Sequence, residues 1–190
     1  VDIKSCHRYL LSELLAAHTR PGRYGGSFEN RTRMLLSVVR RVHDEVPGAD
    51  LTLRLHVYDG HPYPWGWGVS KDDAGVPDMT EPLRLIGLLR DAGVVLINVT
   101  VGNPYYTPHI NRPFDTNTVG GYVPDEHPLV GVERMIRLAR QVKEAYPDLV
   151  VVGTGYSWLR HYLGNAAAGV LARGWADLVG VGREAFAYPD

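Results

Sequence analysis

Cysteine is almost absent from this sequence, with Cys6 the only one among 190 residues. A single cysteine excludes an internal disulfide framework, and we expect a reducing, cytoplasmic setting. No uninterrupted apolar run is long enough to cross a bilayer, so we expect no membrane partner. Neither sign of charge is in excess, since 20 Lys and Arg face 21 Asp and Glu. This balance argues against nucleic acid as a partner.

Metal-binding spacings are also missing. The chain has eight histidines, yet none stands in an HxxxH or HExxH pattern, and no CxxC pair occurs. We therefore expect no metal site.

Five apolar runs alternate with five segments of helical periodicity over a single domain, 1–190. The predicted strands are 1–4, 51–57, 94–101, 149–155 and 176–183. The predicted helices are 9–18, 28–46, 81–93, 131–146 and 158–174. Ser27 and Ser157 are predicted N-caps, and Asp78 with Glu81 has the spacing of a capping box.

This alternation predicts an α/β fold with a parallel sheet and right-handed crossovers. The loops after the strands are long, and in such folds the chemistry lies at the carboxyl ends of the strands. A complete eight-stranded barrel typically takes about 250 residues. The chain is about three strand–helix units short of that, so it is either a fragment or an open sheet.

Glycines cluster at the carboxyl ends of the last two predicted strands. Gly153 and Gly155 end one strand, and Gly182 and Arg183 end the next. Glycine lets backbone N–H groups approach a phosphate, and arginine binds phosphate bidentately. The alternative is that the glycines serve tight turns and the arginine lies on the rim.

Arg54 is a lone charge inside the apolar run LTLRLHV. A charge inside a strand is costly unless it is paired. Either this is an edge strand with a solvated second face, or Arg54 projects into a site and holds an electron-rich group.

The opening segment KSCHRYLL places Lys4, His7 and Tyr9 at or just beyond a strand end. His7 can donate a hydrogen bond to an anionic oxygen, and Tyr9 can deliver a proton. Cys6 next to His7 suggests a thiolate–imidazolium pair. We discount that pair because neighbours in an extended segment point apart, and we expect Cys6 to be a buried small side chain.

Three segments resemble the Old Yellow Enzyme family of NAD(P)H:flavin oxidoreductases. YGGSFENRTRMLLSVVRRV is similar to the G-G-S-x-E-N-R-x-R-F segment that follows the family's fourth barrel strand. ADLVGVGREAFAYPD is similar to its last strand and Gly-Arg phosphate clamp, and INVTVGNPYY to the end of its sixth strand. The chain looks most like the branch of 2,4-dienoyl-CoA reductase and trimethylamine dehydrogenase.

The resemblance implies an FMN-dependent TIM (β/α)8 barrel, of which this chain holds the C-terminal portion, strands four to eight. Arg54 would lie at the pyrimidine edge of the flavin and stabilise its reduced anion. Gly155, Gly182 and Arg183 would bind the FMN phosphate. His7 would hydrogen-bond the acceptor's carbonyl oxygen, and Tyr9 would be the proton donor.

The resemblance also implies a function for the parent protein, namely transfer of hydride from NAD(P)H through flavin to an unsaturated carbonyl-type acceptor, or from an amine donor. We expect the isolated fragment to be inactive, and an iron–sulfur cluster of the parent would lie beyond this chain. The alternative is a non-catalytic half-barrel scaffold that retains a phosphate site.

Two residues depart from the family pattern. Lys4 stands where members with a histidine pair carry the first histidine, which leaves the small-molecule substrate class open. Tyr156 follows the strand glycines, where a small residue is usual.

Because an open barrel leaves strand edges unpaired, we also expect a homo-oligomer.

Overall fold

A computed structural model describes residues 1–115, 121–182 and 186. In that part of the chain five parallel strands form one sheet, in which each strand pairs with its neighbours in sequence. The strands are β1 (Asp2–Ser5), β2 (Leu51–Tyr58), β3 (Val94–Val101), β4 (Val150–Thr154) and β5 (Leu178–Gly180). All five predicted strands are present, although β5 is shorter than its apolar run. No helix in the described part is both long and apolar enough to span a membrane.

Helices connect successive strands and cover one face of the sheet. They are α1 (Leu10–Leu15), α2 (Phe28–Glu45), α3 (Thr80–Asp91), α4 (Pro108–Asn111), α5 (Pro128–Ala145) and α6 (Leu163–Ala172). A 3₁₀ helix, Tyr156–Tyr162, precedes α6.

Of the predicted helix starts, only Ser27 is confirmed, because its side chain accepts a hydrogen bond from the Asn30 amide. The capping box at Asp78 and Glu81 is wrong. Asp78 accepts from the Thr80 amide, but the Glu81 carboxylate is paired with Arg31 instead. Ser157 is not a cap either, because it lies inside the 3₁₀ helix, and α6 starts only at Leu163.

The two faces of the sheet differ in polarity. Along β2, Leu51, Leu53, Leu55 and Val57 are fully or almost fully buried, and they pack in the core between sheet and helices. Side chains of a strand alternate between faces. The intervening positions, Arg54 among them, therefore point to the other face, which corresponds to the interior of a barrel and is called the inner face below.

The GGSFENR segment is a structural junction between helices. Arg31 is 2 % exposed, donates to the carbonyls of Leu15 and Gly26, and binds both carboxylate oxygens of Glu81 at 2.6 and 2.9 Å. These bonds hold α1, α2 and α3 together. The segment that is most specific for the family therefore stabilises the fold, and Glu29 in it pairs with Arg84 on the surface.

Candidate functional site at the carboxyl ends of the strands

Three polar residues lie side by side on the inner face. In the sheet register Lys4 of β1 is opposite Arg54 of β2, and Arg54 is opposite Asn98 of β3. Thr100 lies two residues further along β3, toward its carboxyl end, and is on the same face of the sheet. The sheet thus gathers hydrogen-bonding groups at the strand ends, where α/β enzymes place their sites.

A cavity of about 540 Å³ opens over this polar row. Its volume lies within the range of small-molecule and cofactor sites. It is lined by Lys4, His7, Tyr9, Arg54, Asn98, Thr100, Val101, Pro104, Tyr105, Asn111, Arg112, Met135, Thr154, Gly155, Tyr156, Ser157, Gly180, Val181 and Gly182. All five strands or the segments that follow them contribute to this lining, which includes most of the residues predicted from the sequence.

Four buried polar atoms of the lining residues have no hydrogen-bond partner among the described residues: Nε of Arg54, a donor, Oδ1 of Asn98, an acceptor, and the hydroxyls of Thr100 and Tyr156. Arg54 and Asn98 are opposite each other in the sheet register. Leaving such a group unsatisfied costs about 1–3 kcal/mol, more when it is charged. The adjacent donor and acceptor can be satisfied together by a ligand that presents a carbonyl and an N–H along one edge.

The segment after β1 has an unusual backbone. His7 and Arg8 both adopt positive φ, 58° and 60°, a region that non-glycine residues rarely occupy. The expectation that Cys6 and His7 point apart is therefore wrong, since Sγ of Cys6 lies 3.3 Å from Nδ1 of His7. Cys6 is fully buried as predicted, and burial raises the pKa of its thiol.

His7 is an uncharged donor at neutral pH. Burial is the main cause that lowers its pKa to about 4, and the cations of Arg54, Lys4 and Arg112 contribute in that order. Nδ1 faces Cys6, so Nε2 is the ring atom that remains for a ligand.

Tyr9 and Lys4 lie together at the rim of the cavity. The Lys4 ammonium is 3.8 Å from the centroid of the Tyr9 ring, and Tyr9 is 54 % exposed. The Tyr105 hydroxyl is close by, and its interaction with Tyr9 raises the pKa of Tyr105. Tyr9 can therefore meet both a ligand and solvent, as proton delivery requires.

The glycines at the ends of β4 and β5 have different environments. Gly155 and Gly182 line the cavity. Gly155 has φ 93°, and a Cβ there would overlap Sδ of Met135, whereas a Cβ on Gly182 would meet nothing within 4 Å. Gly153 is absent from the lining, and a Cβ there would overlap the hydroxyl of Tyr156. Arg183, the predicted partner of the phosphate, lies outside the described residues.

Tyr156, which stands where the family pattern has a small residue, does not project freely into the cavity. Tyr156 is 1 % exposed and packs beside Gly153. Burial raises its pKa to about 12.

Sequence reasoning missed several lining residues, and four of them that bear polar side chains are Asn98, Tyr105, Asn111 and Arg112. Only Asn98 had a usable signal, because it is a polar residue inside the apolar run VVLINVTV, as Arg54 is in its own run. The other three lie on the loop after β3, whose path no periodicity predicts. The side chain of Asn111 donates to the carbonyl of Val101 and ties this loop to the end of β3.

An ion pair fixes the turn that contains His7. Nη1 of Arg8 lies 3.2 Å from Oδ2 of Asp59, whose side chain is fully buried, and Nε of Arg8 lies 2.7 Å from Glu13. Asp59 also accepts from the amides of His61 at 2.9 Å and Trp67 at 3.0 Å. The loop after β2 is thereby attached to the end of β1.

No group of three or more His, Cys, Asp or Glu able to hold a metal is found in the described ranges.

The curated proteins to which this chain is similar include an NADH oxidase and an NADH:flavin oxidoreductase. No protein-family model matches the chain. The chain is 25 % identical over 194 residues to an NADH oxidase of Thermoanaerobacter brockii, covering all of this chain and 25 % of that protein. It is 27 % identical over 155 residues to an NADH:flavin oxidoreductase of Gibberella zeae, covering 80 % of this chain and 33 % of that one.

Among solved structures, the Old Yellow Enzyme homologue of Zymomonas mobilis matches all of this chain and 44 % of its own, with a TM-score of 0.61 and 19 % identity. The chain thus spans between a quarter and a third of the two curated relatives. The fold class, a five-stranded parallel portion of a TIM barrel, is confirmed. The curated relatives bear out the predicted resemblance to NAD(P)H:flavin oxidoreductases, and the likeness to the Old Yellow Enzyme homologue is one of fold.

Proposed function

We propose that this chain forms the FMN- and acceptor-binding part of an oxidoreductase that transfers hydride from NAD(P)H to an unsaturated carbonyl-type acceptor. The observation that carries the proposal is the unpartnered Nε of Arg54 beside the unpartnered Oδ1 of Asn98, both buried under the cavity. The similarity to an NADH:flavin oxidoreductase over 80 % of the chain supports it.

The residues present fit a flavin. Its pyrimidine edge carries carbonyl oxygens and a ring N–H, which match the Arg54 donor and the Asn98 acceptor. A guanidinium at that edge also favours the negative charge of the reduced ring. Gly155 and Gly182 would leave room for the phosphate at the ends of β4 and β5, with Arg183 as its charged partner. Gly153 would act indirectly, by admitting the Tyr156 ring beside β4.

A bound flavin supplies the hydride chemistry, and the chain's own residues position the acceptor and move its proton. Nε2 of the uncharged His7 donates a hydrogen bond to the acceptor's carbonyl oxygen. Tyr9 donates the proton, close to the Lys4 ammonium, which stabilises the phenolate left behind. In the overall reaction NAD(P)H is oxidised to NAD(P)⁺, and the acceptor's C=C bond takes up one hydride and one proton.

The proposal is tested by the flavin content of the whole protein and of two variants. We expect the parent protein, unlike the isolated fragment, to purify with FMN, identified by absorbance and mass spectrometry, and to oxidise NAD(P)H. Arg54→Met should weaken FMN binding by about 10- to 100-fold, because it removes a charge-assisted hydrogen bond. Arg41→Met is the control, since Arg41 is 78 % exposed on α2 and pairs only with Glu45.

Retention of flavin by Arg54→Met at the level of the unaltered protein would contradict the assignment of Arg54. A protein that neither contains nor binds FMN would contradict the flavin proposal itself and favour the non-catalytic scaffold.

A further inference from the structure

The tight turn between β1 and α1 is built from residues that disfavour its backbone conformation. The amide of Tyr9 donates to the carbonyl of Cys6, and the two central residues, His7 and Arg8, have φ 58° and 60°. Two consecutive positive φ values are typical of a type I′ turn, in which glycine, asparagine and aspartate dominate the central positions. His7 and Arg8 both carry a Cβ that opposes this conformation. The turn therefore needs contacts outside itself to persist.

The side chain of Arg8 supplies those contacts. Nη1 donates to Oδ2 of Asp59 at 3.2 Å and to the carbonyl of Trp65 at 3.0 Å, and Nε lies 2.7 Å from Glu13. One guanidinium thus joins the turn to the loop after β2 and to α1. The pair with Asp59 is shielded from water, since the Arg8 side chain is 16 % exposed and that of Asp59 is fully buried. Low local dielectric strengthens such a charge-assisted contact.

The same turn presents His7 to the cavity. His7 is among the lining residues that the structure describes, whereas Arg8 is not. Because the two residues are adjacent in one strained turn, relaxation of the backbone at Arg8 also reorients the His7 ring. Sγ of Cys6, 3.3 Å from Nδ1 of His7, is a weak hydrogen-bonding group, and Cys6 belongs to the turn and moves with it. The contact that fixes the ring from outside the turn is therefore the one that Arg8 makes.

We propose that Arg8 is a positioning residue for the acceptor, because its pairing with the buried Asp59 holds the turn in the conformation that directs Nε2 of His7 at the acceptor's carbonyl oxygen. The inference rests on the proposed function. It goes further, since it makes acceptor binding depend on the charge of a carboxylate that is outside the described lining of the cavity.

The hold on the turn should weaken when Asp59 is protonated, because a neutral acid forms a weaker hydrogen bond with a guanidinium than a carboxylate does. Burial raises the pKa of Asp59 to about 6. Acceptor affinity should therefore be full above pH 6 and fall as the pH decreases through 6. His7 itself does not cause this change, since its pKa is about 4 and its ring stays mostly uncharged at pH 5.

Other titratable groups also face this ion pair. They are Glu13 of α1, His56 and Tyr58 of β2, and His61 of the loop after β2. Nε2 of His56 lies 3.9 Å from Oδ2 of Asp59, and burial lowers the pKa of His56 to about 3. Burial raises the pKa of Tyr58 to about 12, so neither of these two changes charge between pH 5 and pH 8. A variant of Asp59 separates its effect from those of His61 and Glu13.

The test measures binding of cyclohex-2-enone, a neutral unsaturated carbonyl compound, to the parent protein by calorimetry. We expect the unaltered protein to bind it about fivefold more weakly at pH 5 than at pH 8. Asp59→Asn should bind it weakly at both pH values and show no pH dependence. Because this variant carries no charge at position 59, it assigns the pH dependence to Asp59.

Three variants of Arg8 separate positioning from backbone strain. Arg8→Met should weaken cyclohexenone binding about tenfold at pH 8 and leave flavin reduction by NADPH unchanged. Arg8→Lys should restore part of the loss, since an ammonium also pairs with a carboxylate. Arg8→Gly relieves the strain at φ 60° but lacks the side chain, so we expect the same loss as in Arg8→Met. Arg41→Met should have no effect.

The His7 ring gives a second readout that needs no acceptor. Burial is the main cause that lowers its pKa to about 4, and the contributing charges are those of Arg54, Lys4 and Arg112. Loss of Arg8 should therefore raise the pKa of His7 toward its usual 6.5 only if the ring leaves its buried position. We expect ¹⁵N NMR of the ring to show this rise in Arg8→Met and not in Arg41→Met.

Equal affinity of the unaltered protein at the two pH values, or a pH dependence that persists in Asp59→Asn, would overturn the positioning role. So would unchanged affinity in Arg8→Gly, because the backbone alone would then hold His7, and so would an unchanged pKa of His7 in Arg8→Met. Each of these results, obtained with flavin bound, contradicts the positioning role alone. A parent protein that contains no flavin or does not bind cyclohexenone contradicts the proposed function.

Discussion

Replacing Arg8 by methionine should destabilise the protein much more at pH 8 than at pH 5. Arg8 is paired with Asp59, which is fully buried, and its own side chain is 16 % exposed. Methionine keeps an unbranched side chain at a position whose φ is 60°, so the backbone strain is the same in both proteins. Arg8 also donates to the carbonyl of Trp65 and contacts Glu13, and these contacts are lost at both pH values, so the difference between the two pH values reports on the ion pair with Asp59.

The magnitude follows from the protonation of Asp59. Burial raises its pKa to about 6 from 3.8, although hydrogen bonds from the amides of His61 and Trp67 and the charge of Arg8 oppose the shift. The folded protein thus binds this proton more tightly than the unfolded chain. The tighter binding of this proton stabilises the folded state by about 3 kcal/mol below about pH 4, and this stabilisation is lost as the pH rises through 6.

Without Arg8 the ionised carboxylate has lost its counter-charge. Removing one partner of a buried pair typically costs 3–5 kcal/mol, and we expect about 3 kcal/mol at pH 8. At pH 5 Asp59 is mostly protonated in the folded state, so the loss falls to about 1 kcal/mol, the value of a single hydrogen bond. The exposed contact of Arg8 with Glu13 adds little at either pH.

Urea unfolding at the two pH values measures this difference. Asp59→Asn is the matched variant, because it removes the titrating group: it lacks the proton-linked stabilisation that the unaltered protein has at pH 5 and loses by pH 8, so its loss of stability should be smaller at pH 8 than at pH 5 by about 1 kcal/mol, the opposite trend to Arg8→Met. Arg41→Met should lose less than 0.5 kcal/mol at both. An equal loss in Arg8→Met at pH 5 and pH 8 would refute the reasoning, since the ionisation of Asp59 would then have no part in the interaction.

Gly155→Ala should destabilise the protein by about 2 kcal/mol in the same unfolding assay, because the new Cβ overlaps the buried Met135 at a φ of 93°. Gly164→Ala, in open space on α6, should cost nothing, and equal effects of the two variants would contradict this account. Tyr9→Phe should slow acceptor reduction by about 10²–10⁴-fold and leave flavin reduction unchanged in stopped-flow measurements. Equal slowing of both half-reactions would make Tyr9 structural.

The fold could be predicted from the sequence because its signals are local. Runs such as VVLINVTV are continuously apolar, as strands buried in a parallel sheet are, and Ser27 precedes a long amphipathic helix. The predicted start of the last helix failed for a reason that no local pattern records. Arg160 has φ 52° and ψ −124°, which interrupts helical geometry and leaves a 3₁₀ turn where Ser157 was expected to cap an α-helix.

The candidate site was predicted less completely because its geometry depends on distant contacts. The positive φ of His7 and Arg8 depends on an ion pair with a residue 51 positions away. Glu81 does not take part in the predicted capping box because its carboxylate binds Arg31 of another helix. Arg112 reaches the cavity only through the path of the loop after β3, so this lining residue could not be found from spacing.

The inner face bears polar groups that stability does not explain. Arg31, on the helix side, is 2 % exposed and satisfies its donors on two carbonyls and a carboxylate. Arg54 is also a charge within an apolar element, yet its buried Nε has no such partner among the residues that the structure describes, and neither has Oδ1 of Asn98 beside it. An apolar pair at these two positions would avoid a cost of about 1–3 kcal/mol for each group. Because no contact within the described residues compensates this loss of stability, we infer that a bound ligand supplies the missing hydrogen bonds.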